Sequence, residues 1–262
     1  MAYNNKNTRE AVLKSLDLKN WVHFFVGTYT SKNQGLEEGL DATIIRFMKL
    51  VPRIKASSKV LVLSNGNTFL PIYLATKYGC SITVACENEE VLSKINKEIE
   101  EYELTQNIST QIIDYQHLPF NYDQFDMAWT VGALHHRDEL LTILRELRRV
   151  MVPQGRLVLC EMSGNLENQP SVGLPILYSI NEIINMASRA DLEKVYMKEF
   201  QKESITHYQK LTEAIAQNEK ELKKDMGLKT FEASKVQLKE LSALFEEEKI
   251  SWGFLQFQKR NN

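Results

Sequence analysis

The chain has 262 residues, 43% hydrophobic and 25% charged, a globular composition long enough to bury a sizeable core. Its 32 basic and 34 acidic residues leave a net charge of −2, so no global field draws it to nucleic acid or an anionic membrane. Cys80, Cys86 and Cys160 are odd in number and widely spaced, which argues against a disulfide framework or a zinc knuckle and for buried free thiols in a reducing cytosol. No apolar run reaches the length of a membrane span, and the polar start, Met1 to Asn7, matches no cleavable leader. A cytoplasmic protein is the expectation.

In chain order, Thr8 to Phe25 is predicted to be a helix, with Thr8 as N-cap and Val12, Leu13, Leu16, Val22 and Phe25 apolar. A second helix is predicted over Leu36–Val51, ended by Pro52. An alternating pattern follows. Strands are predicted at Lys59–Leu63, Ser81–Cys86, Ser109–Ile113, Asp126–Val131 and Gly155–Cys160. Helices are predicted between them at Leu70–Tyr78, closed by Gly79, at Glu89–Glu101 and at Asp138–Val150. Strands alternating with helices imply an α/β fold with a doubly wound, mostly parallel sheet.

From Pro170 to about Lys224 the pattern reads as helical throughout. Within it, Ile176 to Tyr208 carries apolar and aromatic residues suited to a lid, a packed helix face or a dimer surface. A sixth strand is predicted at Lys229–Val236, a helix at Leu238–Glu247 and a last strand at Ile250–Gln258. The implied organisation is an N-terminal helical cap (1–52), a core (53–165), a helical insertion or lid (166–225) and the last two strands (226–262).

The most informative segment is Val60-Leu61-Val62-Leu63-Ser64-Asn65-Gly66-Asn67-Thr68, an apolar run ending in a small polar turn before a helix. Strand, tight turn and helix build the nucleotide-binding edge of α/β folds. The glycine spacing is wrong for a nicotinamide-dependent oxidoreductase. Further along come Asp114-Tyr115-Gln116-His117-Leu118-Pro119-Phe120, Phe125-Asp126, Ala133-Leu134-His135-His136, and the run from Leu147 through Pro153 and Gly155 to Leu159. This series, over roughly 55–165 and more weakly 226–260, resembles the class I S-adenosylmethionine-dependent methyltransferases that act on small molecules.

The resemblance implies a Rossmann-like seven-stranded sheet with N-terminal helices and a helical insertion before the last two strands. It implies S-adenosylmethionine as cofactor, with Ser64, Asn65 and Gly66 at its methionine end, and Val62 where the family has an acid. Ser64 and Thr68 stand where the family has its first and third glycines. Each adds a β-carbon at a close backbone approach. A left-handed backbone there would cost about 1–2 kcal/mol per residue. Glu87 or Cys86 falls at the ribose position, Asp114 and Tyr115 at the adenine, and Val131 at the sulfonium and substrate mouth. His135 and His136 are the candidate general bases, or else caps of the next helix. Glu161 is a candidate pocket wall or a solvated strand end. No metal-ligand cluster is expected.

Two functions follow. One is methyl transfer to a small, partly apolar acceptor at N, O or C, achieved mainly by alignment, with no nucleic-acid or membrane partner. The other is a methyltransferase-like protein with weak or lost cofactor binding, serving as a partner methyltransferase subunit or scaffold, or with a pocket turned to another ligand. A homodimer suits either.

Overall fold

The computed structural model describes residues 51, 54–64, 66, 68–134, 139–164 and 177–261. The two N-terminal helices expected from the sequence therefore lie outside the described residues, Val51 excepted, as do Asn65, His135 and His136.

The first strand, β1 (Lys59–Ser64), is buried from Val60 onward on both sides, as a central parallel strand must be. Helix α1 (Phe69–Tyr78) ends at Gly79, whose φ of 66° provides the left-handed C-cap. After β2 (Ser81–Cys86), helix α2 (Glu89–Glu101) is opened by Asn88, whose side chain accepts from the Val91 N–H. Glu89 and Glu90 in its first turn complement the helix dipole, and Val91, Ile95 and Ile99 form its buried face.

Next come β3 (Ile108–Ile112) and β4 (Phe125–Val131). Helix α3 (Leu140–Val150) buries Leu140, Ile143, Leu144, Leu147 and Val150 at helical spacing. Then follow β5 (Met151–Gly164) and α4 (Ile180–Arg189), the latter opened by a Ser179–Glu182 capping box. The chain ends with β6 (Leu192–Glu199), α5 (Gln201–Gln217), α6 (Glu219–Met226), α7 (Leu228–Glu246) and β7 (Ile250–Lys259).

The sheet has seven strands in the order β3-β2-β1-β4-β5-β7-β6. β1 to β5 are parallel to one another, and β7 is antiparallel to both β5 and β6. One face carries Val60, Val62, Trp129, Val158 and Phe254, packed with residues of α1, α2, α5, α6 and α7. The other carries Leu61, Leu63, Leu157 and Leu255, covered by α3 and α4. The chain leaves β1 toward β2 and β3, then returns to β4 on the other side of β1. Open α/β sheets bind ligands at such a switch point, beyond the carboxyl ends of the strands.

The C-terminal part differs from the sequence reading. The sixth strand is Leu192–Glu199, inside the stretch expected to be helical throughout. It is an edge strand paired only with β7. With one neighbour it exposes most of its side chains, and its Lys and Glu residues mask the alternation a covered strand would show. Conversely, Lys229–Val236 is part of α7, where Phe231, Ser234, Leu238, Leu241 and Phe245 make one buried stripe. The helical insertion thus separates β6 from β7 rather than preceding both.

Nor is 176–208 built as a lid over its described length. Ile180, Ile183 and Ala187 of α4 are core residues against the sheet. Phe200 and Tyr208 are buried on the opposite face, where the Tyr208 ring stacks on Phe245 with centroids 4.6 Å apart.

Candidate functional site

At the carboxyl end of β1, Ser64 is still in extended strand conformation and fully buried. Its hydroxyl accepts a 3.2 Å bond from the Gly66 N–H. Gly66 has φ of 109°, a backbone that side chains rarely adopt. Thr68 has φ of −104° and ψ of −19°, an ordinary right-handed conformation at the start of α1. Its hydroxyl donates to Glu98 of α2. So the two residues standing in place of glycines need no left-handed backbone, and the described position that does need one is a glycine. Val62 lies within β1, buried between Trp129 and Val84 on the flanking strands.

At the end of β2, the Cys86 thiol is buried and engages the backbone of Asn88 at 3.4 Å. Burial pushes it above its ordinary pKa, so it stays neutral. The half-buried Glu87 follows and reaches across to β3's exit loop, where its Oε1 accepts a 3.1 Å bond from the Tyr115 N–H. Of the two residues the sequence leaves open at this strand end, Cys86 turns its thiol to the Asn88 backbone and Glu87 its carboxylate to the exit of β3.

Asp114 is exposed. It accepts from the Gln116 N–H at 2.8 Å, forming an Asx turn, and pairs with His117 Nδ1 at 2.8 Å. His117 first, and the Gln116 amide second, hold its carboxyl below the usual value. Tyr115 points inward and is only 2% exposed. Its hydroxyl donates to the carbonyls of Ser64 (3.0 Å) and Ala85 (3.1 Å). The resemblance places Tyr115 at the adenine, and nothing in the sequence signals where its phenol goes.

β4 ends at Val131, fully buried and opposite Ser64 on one side and Cys160 on the other. Gly132, with φ of 57°, turns the chain, and its N–H reaches the Cys160 carbonyl at 2.9 Å. Glu161 then receives the next two amides, Ala133 and Leu134, each at 3.2 Å. It is 3% exposed and lies inside β5, so it is no solvated strand end. A small cleft beside it is lined by Leu134, Leu140, Met162, Tyr178 and Ile183.

Replacing Glu161 by Gln keeps the shape but offers those amides one acceptor oxygen and an NH₂ donor in place of two acceptors. We expect a loss of about 1–2 kcal/mol in stability, read by urea unfolding. An unchanged midpoint would show that the two amides do not depend on the carboxylate.

The structure therefore places Ser64 and Gly66 at the carboxyl end of β1, Glu87 just beyond β2, Tyr115 beyond β3 and Val131 at the end of β4, with Asp114 exposed. Residues 61–159 match the family model described as a methyltransferase domain. Among curated relatives, the glycine/sarcosine/dimethylglycine N-methyltransferase of Actinopolyspora halophila is 25% identical over 210 residues, 75% of this chain and 36% of that protein. The chain spans less than half the length of the first curated relatives it matches. Among solved structures, a phosphoethanolamine N-methyltransferase of Haemonchus contortus in complex with S-adenosyl-L-methionine superposes with a TM-score of 0.76 at 12% identity, covering 94% of this chain and 57% of that one. The cyclase SpnF superposes with a TM-score of 0.74 at 16% identity, covering 98% and 94%. At such identities the superpositions speak for the fold alone.

Proposed function

We propose that the chain is a class I methyltransferase that binds S-adenosylmethionine and methylates a small-molecule acceptor, a reading supported by the match of residues 61–159 to the methyltransferase-domain model. The observation that carries this reading is the backbone of the first turn. Gly66 alone among its described residues has a positive φ, while Ser64 is extended and Thr68 right-handed. Ser64 and Thr68 therefore replace glycines without strain, which supports a turn that can still admit the cofactor.

Gly66 and Ser64 would face its methionine end, Glu87 its ribose, and Asp114 its adenine. A carboxylate has about four acceptor positions. The Tyr115 amide can therefore orient Glu87 while ribose hydroxyls donate to the same group. That amide is already engaged with Glu87, so adenine recognition falls to Asp114.

When bound, the cofactor supplies an electrophilic methyl group on sulfur. The chain's own part is to align an acceptor and keep water out. Val131, Gly132 and the two amides held by Glu161 would form the mouth. His135 and His136, three and four residues beyond Gly132, stay our candidates for receiving the acceptor's proton.

The second reading, a methyltransferase-like scaffold or a pocket turned to other chemistry, draws on Val62, which stands where the family has an acid.

Thermal unfolding in the presence of S-adenosylmethionine or S-adenosylhomocysteine decides between them. Ligand at 100 times its dissociation constant adds about 2.7 kcal/mol of stability. We expect a clear upward shift in Tm with both. No shift at millimolar ligand would leave the scaffold reading standing.

A further inference from the structure

Where other turns of this kind are shaped by small residues, this one is held by side chains. The Tyr115 hydroxyl reaches the last carbonyl of β1, at Ser64, and the carbonyl of Ala85 next to the end of β2. The Ser64 hydroxyl in turn holds the Gly66 N–H. Resting on the cofactor reading above, we propose that Tyr115 is a positioning residue: its phenol braces the Ser64–Gly66 turn and so presets the methionine end of the cofactor site.

The Ser64 carbonyl opens the turn itself, whereas Ala85 lies two residues before Glu87, and this makes the brace selective. The end of β2 keeps other ties when the phenol is removed. The Ile113 N–H reaches the Cys86 carbonyl at 2.9 Å, the Tyr115 N–H holds Glu87, and Asn88 engages Cys86. None of these needs the Tyr115 side chain. The Ser64 carbonyl opens the peptide that enters the turn, and its orientation sets where the next amides point. Losing the phenol therefore loosens the turn more than the ribose side.

The brace is also constant with pH. Burial first, then the neighbouring Cys86 and Glu161, push the Tyr115 phenol well above its ordinary value, so it remains a donor.

The test compares two ligands by isothermal titration on the full chain. S-adenosylhomocysteine has the amino-acid end; 5′-methylthioadenosine keeps the adenosine and sulfur but lacks that end. For Tyr115→Phe, affinity for S-adenosylhomocysteine should fall about tenfold, while that for 5′-methylthioadenosine changes by less than about twofold. A residue that merely stabilises the fold would weaken both in parallel. Parallel losses, or no loss for either, overturn the proposal.

Should Tyr115→Phe fail to fold, Ser64→Ala tests the same brace from its other end. It removes the acceptor of the Gly66 N–H and leaves Tyr115 and its two carbonyl partners in place. The same split between ligands is expected, and its absence overturns the proposal. A wild-type chain that binds neither ligand overturns the cofactor reading itself, and this inference with it.

Discussion

Gly66→Val will abolish the stabilisation that S-adenosylhomocysteine confers, while leaving the chain folded. The glycine has φ of 109°, and a β-branched residue there is strained whatever room surrounds it. Strain of this kind costs about 1–3 kcal/mol. The cheapest escape is to rotate the peptide to negative φ, which breaks the bond from the Gly66 N–H to Ser64 and swings the turn. A valine side chain would also intrude where the ligand's amino-acid end must approach. Together these should weaken binding by about 10²-fold or more, at ~1.4 kcal/mol per decade.

The measurement is Tm with and without ligand. Without ligand, the variant should melt lower by about 2–4 °C for each kcal/mol of strain. With ligand at a concentration that saturates the wild type, it should gain nothing. A variant that kept its full ligand-induced shift would place the ligand away from this turn.

The same turn shows what the sequence could and could not reveal. Ser64 and Thr68 were legible as departures from a glycine pattern. Their consequence was not, because it depends on backbone angles that residue identity does not specify. Once Ser64 is extended and Thr68 right-handed, the anticipated strain disappears.

The parallel half of the sheet was readable because β1, β2, β4 and the middle of β5 are buried apolar runs separated by helical segments. β6 was misread because Tyr196, Met197 and Phe200 also fit a helical spacing, and a strand with one partner has no covered face to enforce alternation. Lys229–Val236 was misread because Thr230, Phe231 and Val236 favour strands locally. The buried stripe that makes it helical emerges only over the full length from Leu228 to Glu246. In the candidate site, Glu87, Asp114 and Gly66 are proposed from their positions along the chain. The inward phenol of Tyr115 and the amide-holding role of Glu161 depend on contacts 27 to 51 residues away, beyond the reach of a local pattern.

One of the clearest sequence motifs serves the fold rather than the ligand, and it carries the second large effect. The Leu118-Pro119-Phe120 segment is bound to α3 by an Arg149–Glu146 pair. Arg149 Nη1 donates to the Phe120 carbonyl at 2.7 Å and Nη2 to the Leu118 carbonyl at 2.8 Å. Arg149 Nε and Nη2 also meet the two oxygens of Glu146 at 2.8 Å each, and Glu146 Oε2 accepts from the Leu118 N–H at 2.9 Å. The fork of the guanidinium fits this double task, whereas a lysine would hold only one part of it.

Both side chains are about one-fifth exposed, so solvent screens the pair in part. Arg149→Ala should still cost about 3 kcal/mol, because it strands the Glu146 charge and removes the donors of two carbonyls. Arg149 first, and the Leu118 amide after burial's opposing effect, hold the Glu146 carboxyl below its ordinary 4.5. A depressed folded value means the contribution is fully present above about pH 4.5 and is lost as pH falls through the lower folded value. Wild-type stability should therefore decline with acid below about pH 4.5, and Arg149→Ala should flatten that decline by removing its main cause. Urea unfolding of both proteins from pH 7 to pH 3 reads the two effects together. Equal acid slopes would show that Glu146 gains its depressed value from the Leu118 amide rather than from Arg149.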